Sequence, residues 1–150
     1  MNVFSKVIAI ALFASPFFAQ AGSCPDLKGD YNCTVMGLLS LDIPVGQSID
    51  SKGVTTYILD GAPIIADGGE HRATVLPDLL VAYVKDVDYR ANCGGTTIAF
   101  DGKGKMVRHN DEPGTVKGIL TKTGANSATV EVDMESKSSG AKHITATCTK

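Results

Sequence analysis

At 150 residues the chain has room for one domain and little more. Its 14 Lys+Arg against 16 Asp+Glu, a formal net charge of −2, lack the basic footprint of a nucleic-acid binder, and no nucleic-acid partner is expected. With 43% hydrophobic and 20% charged residues, the composition is that of a folding chain and excludes a disordered polyelectrolyte.

The chain opens with an export signature. Lys6 supplies a positive start, residues 7–18 are apolar apart from Ser15 and Pro16, and Ala19-Gln20-Ala21 is a small-x-small cleavage pattern. The apolar run is too short to span a bilayer, and no other stretch reaches that length, so no transmembrane segment is expected. These features predict a signal peptide over 1–21, a single domain over 22–150, and a secreted or periplasmic protein cut near Ala21. Ala21-Gly22-Ser23-Cys24 also resembles a lipobox, but the apolar run ends too far upstream and lipidation of Cys24 would strand an odd thiol.

All four cysteines, Cys24, Cys33, Cys93 and Cys148, lie beyond the cut, an even number suited to an oxidising destination. None forms the C-x-x-C pair of a zinc site or redox centre. Two structural disulfides follow. Of the three connectivities, Cys24–Cys33 with Cys93–Cys148 is preferred, pinning the N-terminal loop to the first strand and an interior strand to the last.

Along the mature chain the period is two, not 3.6, as in antiparallel strands with one wet face. Tyr31, Cys33 and Val35 alternate with Asn32 and Thr34. Residues 54–66 carry apolar groups on both faces, so one side packs inward and the other meets another layer, a pocket or a partner. Residues 77–84 are the one helical stretch, with Pro77 suited to a first helical position and Leu80 one turn from Val84. Val87, Tyr89, Ala91 and Cys93 then share a face, as do Ala128, Val130, Val132 and Met134, and finally Ile144, Ala146 and Cys148. Gly-containing turns punctuate these runs at 50–53, 60–61, 67–69, 93–95, 101–104, 123–126 and 138–140. The expected fold is all-β: eight to ten short strands in an antiparallel meander closing into a small up-and-down barrel, with a β-sandwich as the alternative.

The opening Cys24-Pro25-Asp26-Leu27-Lys28-Gly29-Asp30-Tyr31 resembles that of small secreted barrels of the calycin group, the avidin-like and lipocalin-like proteins, in which a Gly-x-aromatic step begins the first strand. The resemblance implies a ligand-holding barrel. Tyr31 stands where those families usually carry Trp, and the sequence contains no Trp, so it implies no particular ligand residues. Tyr31-Asn32-Cys33 and the overall size are also similar to small periplasmic barrels that inhibit lysozymes.

Chemistry-bearing motifs are sparse. His71, His109 and His143 form no H-x-H or H-x-x-x-H pair, and no metal or cofactor motif occurs. The densest polar cluster is Asp67-Gly68-Gly69-Glu70-His71-Arg72, where Glu70 could orient His71 as a base and Arg72 hold an anion. No nucleophile elbow accompanies it, and no catalytic residue is assigned. The expectation is a non-enzymatic, disulfide-stabilised exported binding protein engaging a small apolar ligand, a glycan or a protein through the 54–72 region, with Tyr57, Ile58, Ile64, Glu70, His71 and Arg72 as candidate contacts. Two alternatives are a loop-inserting inhibitor of a secreted hydrolase and a small hydrolase built around His71 or His109.

Overall fold

A computed structural model describes residues 23–150; the export signature over 1–21 lies outside the described residues. Ten strands form one antiparallel sheet: β1 (Gly29–Val35), β2 (Leu39–Ile49), β3 (Thr55–Leu59), β4 (Ala62–Ile65), β5 (Glu70–Arg72), β6 (Val84–Gly94), β7 (Thr97–Met106), β8 (Glu112–Gly124), β9 (Ser127–Ser136) and β10 (Gly140–Thr149). A single-turn helix, α1 (Asp78–Val81), falls in the stretch expected to be helical. The strand order β4-β3-β2-β1-β10-β9-β8-β7-β6-β5 is a meander whose first strand has curled round to pair with its last. The result is a nearly closed barrel, and a sandwich is excluded.

The alternation read along the chain is what makes this barrel. Tyr31, Cys33 and Val35 are buried while Asp30, Asn32 and Thr34 between them are exposed. Val87, Tyr89 and Ala91 on β6, Ala128, Val132 and Met134 on β9, and Ile144, Ala146 and Cys148 on β10 repeat the pattern. Each strand thereby gives one row of side chains to a common interior.

The sheet closes everywhere except between β4 and β5, and there a side chain takes over from the backbone. The Ala66 amide donates to the Thr55 carbonyl, so the alternation of an antiparallel ladder turns the Pro63 carbonyl and the Ile65 amide away from β3. Both find the Tyr89 hydroxyl, which accepts from Ile65 N at 3.1 Å and donates to Pro63 O at 3.3 Å. Pro63 has no N–H to leave unpaired on this edge, the position where a sheet tolerates proline.

The preferred disulfide pairing is corrected. Cys33 bonds to Cys148, and Cys24 to Cys93. Closure of the barrel sets Cys33 directly opposite Cys148 in the β1–β10 register, with their Cα atoms 4.0 Å apart. Cys24 does not fold back on β1. It crosses the end of the barrel to Cys93, near the end of β6, 69 residues away in sequence. Nearness along the chain favoured the wrong partners because the wall opposite the N-terminus is made by a distant strand.

One expected turn is also absent. Residues 101–104 lie inside the continuous strand β7, and the reversal comes after Met106. Gly102 and Gly104 are there for space: a Cβ on Gly102 would lie 2.6 Å from the Asp88 carbonyl oxygen, and one on Gly104 would lie 2.6 Å from a Val84 methyl.

Candidate functional site

The barrel is plugged at one end by the chain that leads into it. Residues 23–28 cross that end, burying Leu27, whose amide donates to Gln47 Oε1 at 2.9 Å. The Tyr57 hydroxyl, from the fully buried floor of β3, donates to the Pro25 carbonyl at 2.6 Å. Burial, reinforced by the nearby Asp26 carboxylate, pushes the Tyr57 phenol up to about 12. The Lys150 ammonium donates to the Lys28 carbonyl at 2.6 Å, and the Cys24–Cys93 bond ties the plug to β6.

At the opposite end β6 begins at Val84, facing Met106 beside the β7–β8 turn. The segment that reaches it, residues 73–83, covers this end and turns Leu76, Leu79 and Leu80 inward. Its ends are tied down, with Ala73 N donating to Val87 O and Val107 N to Tyr83 O. Between them the backbone bonds are internal to the helical turn, Leu80 and Val81 N–H to Pro77 O and Tyr83 N–H to Leu80 O. Between its two tied ends, apolar packing therefore holds this cover on the barrel.

Plug and cover enclose an apolar cavity of about 100 Å³. Tyr31, Ile43, Tyr57, Phe100, Val130 and Val132 are among its walls, and no charged side chain lines it. Phe100 lies over the bare backbone of Gly118, its register partner on the neighbouring strand β8, where any side chain would collide with its ring. Because the walls are hydrocarbon and aromatic, the space does not hold water readily and favours an apolar occupant.

The candidate contacts divide around this cavity. Tyr57 and Ile64 line it. Ile58, their neighbour in the strand pair, points outward and is exposed. Glu70, His71 and Arg72 form β5 at the open seam, with Glu70 and Arg72 turned outward and His71, the register partner of inward-facing Tyr89, half-buried on the other face. There Glu70 accepts from Arg90, Arg72 meets Asp88, and His71 Nε2 lies 2.8 Å from Asp67 Oδ1 with its ring 5.7 Å from that of Tyr89. The hydrogen bond from His71, together with the Gly69 amide, holds the Asp67 carboxyl below the usual carboxylate range. The polar cluster is thus two exposed cross-strand ion pairs and one local, half-buried His71–Asp67 pair, while the cavity is built from residues the cluster does not include.

His109 sits in the β7–β8 turn, and His143 pairs with Asp133 across β9 and β10. Among the described residues no group of three His, Cys, Asp or Glu side chains is placed to hold a metal. No helix among them is long and apolar enough to cross a membrane. Leu76, Leu79, Leu80 and Phe100 are among the cavity residues that the candidate contacts did not include. For Leu79 and Leu80 the helical pattern at 77–84 was the available signal, since it marked an apolar cap without saying what it capped.

Compared with known proteins, the chain matches no family model, no curated protein and no solved structure.

Proposed function

We propose that this is an exported, non-enzymatic binding protein whose barrel interior takes up a small apolar ligand, as in the calycin-like barrels that its opening residues resemble. The observation that carries the reading is the uncharged cavity between a plug tied by a disulfide and a cover held between its ends by apolar packing. Two disulfides joining distant parts of the barrel suit a protein working in an oxidising compartment. An apolar cavity of roughly 150 Å³ takes up benzene, so the space of about 100 Å³ here is tight for one ring and even a compact ligand requires residues 73–83 to give a little. Larger apolar ligands require residues 73–83 to lift.

The test is a binding titration with two probes. Toluene, a compact single ring, asks for the smaller displacement of the cover, and N-phenyl-1-naphthylamine, fluorescent in apolar surroundings, asks for the larger. Both are expected to bind the parent protein. Filling the cavity with Ala128→Leu is expected to weaken toluene by about tenfold or more, the scale of overpacking a close-fitted interior. Absence of binding by both probes refutes the proposal, as does equal binding of toluene by the filled variant.

A further inference from the structure

Three tyrosines supply the side-chain hydroxyls of the cavity wall, and two of these are engaged. Tyr57 donates to Pro25 O and Tyr89 to Pro63 O. Tyr31 differs. It faces inward on β1, is 4% exposed, and its hydroxyl is buried with no hydrogen-bond partner. An unmet buried hydroxyl costs the fold stability, and phenylalanine would bury the same ring without that cost. Water does not account for it, because an ordered water needs two to four polar partners and these walls offer one free hydroxyl.

We infer that the Tyr31 hydroxyl is the polar anchor for the ligand, which is an uncharged, compact apolar molecule carrying one hydrogen-bonding group, such as a hydroxyl or carbonyl. This deepens the binding reading above and rests on it. A charged head is disfavoured because the cavity lining carries no charged side chain; the nearby Lys150 ammonium, 5.1 Å from the centre of the Tyr31 ring, does not line the cavity and is engaged by the Lys28 carbonyl. Tyr31 lies two residues into β1, at the plugged end, where Leu27 also meets the cavity. A ligand entering past residues 73–83 therefore leads with its polar group and leaves its apolar body beneath the cover.

Phenol and toluene share an outline and differ by a hydroxyl in place of a methyl, so they isolate this one contact. Each is titrated into the parent and the Tyr31→Phe variant, and both proteins are melted without ligand. Tyr31→Phe is expected to weaken phenol about fivefold, the net strength of one neutral hydrogen bond, and to leave toluene within about twofold. The unliganded variant should melt no lower than the parent. If the variant melts lower, the hydroxyl serves the fold and the assignment is overturned. If the parent takes up toluene or the naphthylamine probe but not phenol, or the variant keeps the parent's preference, the anchor is refuted and the binding reading stands. If the parent takes up none of the three, the binding reading itself fails.

Discussion

Tyr89→Phe removes a single oxygen from the seam and tests whether that oxygen substitutes for a strand pairing. The hydroxyl accepts from Ile65 N and donates to Pro63 O, so its loss leaves one amide and one carbonyl of β4 without partners. Two net hydrogen bonds at 0.5–1.5 kcal/mol each set a ceiling of about 3 kcal/mol. Both contacts are only partly buried, so water recovers some of this and the expected loss is about 1–2 kcal/mol. For a domain of this size that corresponds to roughly 4 °C of melting temperature per kcal/mol. Urea denaturation measures the global term. Amide exchange read residue by residue supplies the sharper measurement, because Ile65 should lose protection while Tyr57 and Ile64, bonded within the β3–β4 ladder, keep theirs. An Ile65 amide as protected in the variant as in the parent refutes the seam argument, even if the melting temperature falls.

The Cys33–Cys148 bond closes a loop with a sequence separation of 115, and Cys24–Cys93 one of 69. Loop-closure entropy assigns them about 4.8 and 4.4 kcal/mol, so Cys33→Ala/Cys148→Ala and Cys24→Ala/Cys93→Ala are each expected to lose about 4 kcal/mol in urea; losses below 1 kcal/mol in both would refute that assignment. Raising the pH should erode stability between about 10 and about 12. The folded state holds the Tyr57 proton up to about 12, whereas the unfolded chain releases it near its ordinary 10.0, so ionisation favours unfolding across that window. Urea midpoints of the parent and Tyr57→Phe should converge over the same range, and parallel curves would exclude Tyr57 as the cause. Gly118→Val should displace the Phe100 ring, lower stability by about 1–3 kcal/mol and weaken toluene uptake; an unchanged melting temperature with intact binding would refute the close approach.

Some of the site could be read from residue types and some could not. Tyr57 and Ile64 were accessible because residues 54–66 are apolar on both faces; the inward row meets the cavity, while Ile58 on the other face is exposed. Glu70, His71 and Arg72 drew attention as a dense polar run, yet Glu70 and Arg72 find ordinary partners across the strands and His71 pairs with Asp67 in the bend just before β5. Tyr31 looked like any inward residue of the first strand. Its significance lies in a missing hydrogen bond, and a missing contact leaves no mark on the sequence.

By itself the sequence determined the period. Alternating Tyr31, Cys33 and Val35, and the matching rows on β6, β9 and β10, commit each stretch to a strand with a known inner face, because successive side chains of an extended chain must point to opposite sides. That was enough for an all-β meander and a cysteine-braced core. The tertiary structure alone decided which strands are neighbours across the closure. Pairing β1 with β10 set Cys33 against Cys148, sent Cys24 across the barrel end to Cys93, and brought Tyr89 to the unpaired edge of β4. Alternation is a local property of a few residues, whereas closure depends on how the twist of the whole sheet sums around the barrel.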